Sequence, residues 1–244
     1  MSKDNLTAMN HQQTTQQSPK CSYKSIRLWL LVAALLLLSL LSACGNPDQP
    51  TIGLYLAIQR GDIDQIERHI AWKTDINSMD SDGRRPLHVA AGRGRYVITK
   101  LLIDNRADIN AGDRNGKPAL YHAVLSGRTQ IAELLVKRGA DPQPDKLLDE
   151  VVNESVADRD IIPLLLKWGA DIDHRDAEGR TPMMRAIIAK QRVLVKLLIA
   201  NGADVNAENS RGHRPLDIAN RLQDRDIIRL LHRNGARPSD KTEE

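Results

Sequence analysis

The 244-residue chain contains no phenylalanine, and aromatic residues make up only 3% of it. So sparse a set of rings argues against stacking platforms for single-stranded nucleic acid. Two cysteines, Cys21 and Cys44, are too few for a disulfide framework or a four-thiolate zinc site. GxSxG, HExxH, Walker A and CxxC motifs are all missing. Gly92-Arg93-Gly94 comes nearest to a phosphate loop, but it has neither a third glycine nor a preceding strand. What is present is a hydrophobic content of 41%, enough for a packed core and too high for a disordered chain. The net charge of +4 comes from 35 Lys+Arg against 31 Asp+Glu, and a sum of this kind does not say where the charges sit.

The amino-terminal region reads as a targeting signal. Lys3, Lys20, Lys24 and Arg27 precede an apolar run from Leu28 to Ala43, with Asp4 the one acid. A basic start, an apolar middle and small residues at a cut site are the layout of a secretory signal. As a helix the run would reach ~24 Å, short of the roughly 30 Å of a bilayer core. Leu41-Ser42-Ala43-Cys44 resembles the lipobox of bacterial lipoproteins. The resemblance implies cleavage before Cys44, acylation of that residue and, because Gly45 rather than Asp follows, an outer-membrane lipoprotein facing the periplasm, with the inner membrane as the alternative. The leader before Leu28 is long, so translation starts at Met1 or at Met9. Residues 1–43 carry +3 of the +4, which removes the main support for nucleic-acid binding. Residues 44–50 would be the lipidated cysteine and a short tether.

The rest of the chain repeats with a period of 33 residues. Gly83, Gly116, Gly179 and Gly212 open matching segments, such as GRRPLHVAAGRGRYVITKLLIDNRADINAGDRN and GRTPMMRAIIAKQRVLVKLLIANGADVNAENSR. The gap from Gly116 to Gly179 is three short of two periods, so the third or fourth unit is trimmed. These segments resemble ankyrin repeats, with their TPLH turn, Leu-Leu pair and GADVNA hairpin. The resemblance implies an all-α ankyrin-repeat solenoid of about six repeats, near 50–79, 82–111, 115–144, 146–175, 178–207 and 211–240, followed by a polar tail at 241–244. The first and fourth are degenerate. Each unit pairs two short amphipathic helices and buries its apolar face only by stacking on its neighbours. Thr181 and Pro182 suit a helix start. Gly139, Gly169, Gly202 and Gly235 sit where a second helix must stop.

In ankyrin proteins the partner-binding face is made of hairpin tips and first helices. Carried over by position, that face holds Arg84, Arg85, Arg93, Arg114, Lys117, Arg180, Lys190, Arg211, His213 and Arg214. The row is basic and would suit an acidic protein, although Lys and Arg are also ordinary solubilising residues. Arg85 and Arg214 stand where the turn normally has a capping Thr. A guanidinium accepts no hydrogen bond, and a lost cap costs ~1 kcal/mol, so a compensating role is expected, namely contact with an acidic partner. The fourth unit has an acidic first helix, with Asp145, Asp149, Glu150, Glu154 and Asp158. Asp171, Asp173, His174 and Asp176 have metal-like spacing, but they coincide with the recurring hairpin, which already accounts for them. The sequence therefore predicts a membrane-anchored, non-enzymatic binding module without a cofactor. Its partner would be a protein, and its role that of accessory factor to a periplasmic enzyme or of an inhibitor or immunity protein against a toxin. The alternative is a metal-dependent or hydrolytic enzyme using the Asp171/Asp173/His174/Asp176 cluster.

Overall fold

The computed structural model describes residues 49–239, which build twelve helices and no strand. The expected signal sequence, Cys44 and the last five residues lie outside the described residues. The helices are α1 (Leu54–Arg60), α2 (Ile63–Ala71), α3 (Pro86–Gly92), α4 (Tyr96–Asp104), α5 (Ala119–Leu125) and α6 (Thr129–Lys137). They continue with α7 (Pro144–Asn153), α8 (Ile161–Lys167), α9 (Pro182–Ile188), α10 (Arg192–Ala200), α11 (Pro215–Arg221) and α12 (Arg225–Arg233). Odd-numbered helices pack on one another along the stack, and each is paired with the even-numbered helix that follows it.

The repeated residues make the core. Ala57, Ala90, Ala123, Ala186 and Ala219 are all completely buried, where a larger side chain would hold neighbouring helices apart. Leu102, Leu135, Leu165, Leu198 and Leu231 are also completely buried. These are the second members of the Leu-Leu pairs, while Leu101, Leu197 and Leu230 stay partly exposed. Thr181 caps α9 by accepting the Met184 N–H at 3.4 Å. Four hairpin-shaped connections of fourteen residues join successive repeats: hairpin 1 (72–85), hairpin 2 (105–118), hairpin 3 (168–181) and hairpin 4 (201–214).

The missing three residues have a definite origin. The connection from α6 to α7 is only six residues, 138–143, eight fewer than each hairpin. A longer α7 and a longer turn into α8 return seven residues, and α8, two residues shorter than the other second helices, restores the deficit to three. α7 starts at Pro144, two residues before the boundary expected from the repeat spacing.

Candidate partner-binding face

Each hairpin is built by one turn used four times. Asp80, Asp113, Asp176 and Asn209 accept the backbone N–H of Arg84, Lys117, Arg180 and His213 at 2.8–3.0 Å through side-chain oxygen. The fourth residue of the turn is a glycine that donates back to the first carbonyl at 2.9 Å. Asp176 thus has a backbone duty. Asp173 accepts the Asp204 N–H at 3.0 Å, as Asn77 accepts that of Asp108 and Asn206 that of Arg237. Asp171 accepts the Asp173 N–H at 3.0 Å. His174 Nε2 lies 2.6 Å from Asp149 Oδ1, and its Nδ1 lies 2.9 Å from the Asp171 carbonyl. Every member of the metal-like cluster is therefore a hairpin-forming or hairpin-docking group.

The basic row is more self-contained than its sequence suggests. Arg84 pairs with Asp80 at 3.1 Å and Asp82 at 2.6 Å, and Arg180 pairs with Asp176 and Glu178, each at 2.8 Å. Arg114 donates to the Ser81 carbonyl at 2.8 Å, binding hairpin 2 to hairpin 1. Lys117 bonds Glu150 of α7. Arg85 reaches the carbonyls of Asn77 and Gly112, and Arg214 reaches Glu208 and the Pro238 carbonyl. The contacts seen at Arg85 and Arg214 thus lie inside the chain. Their helices are capped from the third position instead: His88 Nδ1 accepts the Arg85 N–H at 3.2 Å, and Asp217 accepts the Arg214 N–H at 2.8 Å. Arg93 and Lys190 are exposed and lie just past the ends of α3 and α9, not on those helices.

Two clefts interrupt this face. The first, about 250 Å³, lies between hairpins 3 and 4 and is lined by Arg180, Arg211, His213 and Arg221 over a floor of Ile188, Ile218 and Leu222. It gathers three of the residues expected from sequence, and Glu178 is the acid on its rim. Sequence reasoning missed Ile188, which is 44% exposed at the end of α9. Its position holds Gly92, Leu125 and Arg221 in other repeats, so the pattern carried no signal for it. The second cleft, about 360 Å³, lies between hairpin 2 and α7, and among the expected residues only Lys117 lines it. Arg84, Arg85, Arg93, Arg114, Lys190 and Arg214 line neither cleft.

The acidic helix α7 is likewise committed internally. Asp145 accepts the Asp171 N–H at 2.8 Å, Asp149 binds Arg185 and His174, and Glu150 binds Lys117. Glu154 and Asp158 fall beyond its last residue, Asn153.

The family model of ankyrin repeats matches residues 54–145 and 152–242, three quarters of the chain. The chain belongs to the ankyrin-repeat family. The ankyrin repeat domain of human ASB11 superimposes with a TM-score of 0.62 at 26% identity, covering 76% of this chain and 85% of that one. The Bcl-3 ankyrin repeat domain gives a TM-score of 0.61 at 25% identity, over 78% and 89%. A chain from the complex of a predatory endopeptidase of Bdellovibrio bacteriovorus with an immunity protein gives 0.60 at 23% identity, over 76% and 99%, a likeness of fold. The potassium channel KOR1 of Oryza sativa subsp. japonica is 47% identical over 51 residues; the match spans 21% of this chain and only 6% of that protein. Protein–protein interaction is what this repeat framework does as a class. Among the described residues no helix is long and apolar enough to cross a membrane.

Proposed function

We propose that this chain is a lipid-anchored, non-catalytic module that holds a protein partner on its hairpin face at the periplasmic side of the outer membrane. The observation that carries the reading is the cleft between hairpins 3 and 4, where Arg180, Arg211 and Arg221 surround the apolar floor of Ile188, Ile218 and Leu222. An apolar anchor with a charged rim is the anatomy of a binding hot spot. Net positive charge around it favours a partner segment with an apolar side chain next to a carboxylate. Ready-made turns keep the ordering cost of binding low.

Two roles share this chemistry: support of a periplasmic enzyme, and neutralisation of a toxin. A solved relative in fold comes from an endopeptidase–immunity protein complex, so peptidases are the first class to assay for inhibition. The deciding experiment is capture of the partner by the full-length protein from its native membranes, compared with Arg180→Glu/Arg211→Glu. Loss of at least tenfold in recovered partner, with the helical circular dichroism spectrum retained, is the expected result. Equal recovery would remove this cleft from the binding face. Anchoring is tested separately: Cys44→Ser should abolish acyl-chain labelling and release the protein from the membrane fraction. Retention of the label in that variant would exclude Cys44 as the anchor.

A further inference from the structure

The six-residue connection 138–143 leaves a hairpin out of an otherwise continuous row. Hairpins in this chain bind one another through the backbone. The Gly83 carbonyl of hairpin 1 accepts the Arg114 N–H of hairpin 2 at 2.9 Å, and the Glu178 carbonyl of hairpin 3 accepts the Ser210 N–H of hairpin 4 at 3.3 Å. Hairpin 2 has no such successor. Among the described residues, the carbonyls of Asn115 and Gly116 accept no backbone hydrogen bond, and the Ala177 N–H of hairpin 3 donates none. The space agrees. A β-carbon on Gly83 would meet Arg114 Cβ at 2.5 Å, and one on Gly179 would meet the Ser210 nitrogen at 2.6 Å. A β-carbon on Gly116 would meet nothing within 4 Å.

The opening leads into the cleft of about 360 Å³ between hairpin 2 and α7, walled by Pro118, Leu120, Tyr121, Pro142 and Leu147. Lys117, Lys146, Asp141 and Glu150 on its lining sum to no net charge. Lys117 bonds Glu150 and lies 4.5 Å from the centre of the Tyr121 ring, and Lys146 donates to Gln143 at 3.4 Å. A strongly charged ligand would gain little there, whereas the Gly116 carbonyl, which accepts no backbone hydrogen bond among the described residues, beside apolar walls suits another polypeptide backbone.

We propose that the gap is a slot for a hairpin-shaped loop of the partner protein, uncharged and apolar at its tip, which takes the place of the absent hairpin against Gly116. The inference rests on the protein-binding reading above and adds a second contact, separate from the cleft at Arg211.

Two variants close the slot. One replaces 138–143 by the sequence of hairpin 4, residues 201–214, and restores a full-length hairpin. The other, Lys146→Trp, fills the cleft from an exposed position and leaves the connection intact, so it reports even if the first fails to fold. In the full-length protein, p-benzoylphenylalanine at Gln143 serves as a photo-crosslinking probe in native membranes. The expected result is a crosslink that maps to a loop of the partner recovered in the capture experiment, lost at least tenfold in Lys146→Trp and in the folded hairpin graft. Undiminished crosslinking and capture in Lys146→Trp would overturn the slot, while loss on Arg180→Glu/Arg211→Glu alone would leave the broader reading standing. No partner with the wild-type chain would overturn both. A crosslink to a second copy of this chain would also overturn the partner assignment.

Discussion

His88 is 2% exposed, and its two ring nitrogens tie two repeats together. Nδ1 accepts the Arg85 N–H at 3.2 Å, so Nε2 carries the proton and donates to the Lys117 carbonyl at 3.0 Å. Burial, and next the neighbouring His122, hold its pKa below the usual 6.5. The unfolded chain therefore takes up the proton more readily. The contribution of His88 to stability is complete above about pH 6.5 and declines as the pH falls through its lowered folded-state value. Urea melts at pH 7.5 and pH 5 should show this decline in the wild type, and it should shrink in His88→Ala, which also loses about 2 kcal/mol at pH 7.5. Asp173 has the opposite linkage. Burial raises its carboxyl pKa, and the nearby Asp204 and Asp171 add to the rise. Its charged form is thus disfavoured in the fold, and stability falls as the pH rises through the raised value. Asn77, Asn110 and Asn206 make the equivalent backbone contact without a charge. Asp173→Asn should therefore gain about 0.5 kcal/mol at pH 7, a modest figure because the group is partly solvated, and nothing at pH 3, as thermal melts at the two values would show. The cap at Thr181 was legible in the sequence, because a repeat lends each position the role of its counterparts. The internal engagement of Arg85 and Arg214 was not. Nothing in a one-dimensional pattern says that a guanidinium will reach a carbonyl 27 residues away, as Arg85 does to Gly112.

Helix ends show the same contrast at the scale of elements. α6, α8, α10 and α12 are each followed by a glycine with positive φ, the conformation that costs a residue with a β-carbon about 1 kcal/mol. α4 is followed by Arg106, at φ 69°. Arg106→Gly should raise stability by about 0.5 kcal/mol, measured as a higher denaturant midpoint at unchanged m. The helix pairs themselves were readable from period, Leu-Leu pairs and small Ala positions. The trimmed unit was readable only as a deficit of three, because losses in a connection and in α8 partly cancel against gains in α7 and the turn after it. Sequence spacing measures their sum. The exposed floor at Ile188 was hidden for a related reason: one apolar residue at a helix end has the same pattern as a buried one.

For the molecule as a whole, the opening charge of +4 proves to be a poor guide to recognition. Removal of residues 1–43 would take +3 of it away, and Arg84 and Arg180 are neutralised by acids of their own turns. Recognition then depends on where apolar surface shows through, as in the cleft at Ile188. The short connection 138–143 has one more consequence. In a stack whose units touch only their neighbours, each junction sets how strongly unfolding on one side is felt on the other. Four junctions carry a full hairpin and this one does not, so cooperativity should be weakest there. Native-state hydrogen exchange should resolve two blocks, 49–137 and 144–239, whose opening free energies separate in mild denaturant. A single shared opening free energy would show instead that the packing of α5 on α7 alone couples them. A chain that loosens in halves would meet its partner as two semi-independent grips joined by a built-in hinge of low coupling, so that release could begin at one end while the other still holds.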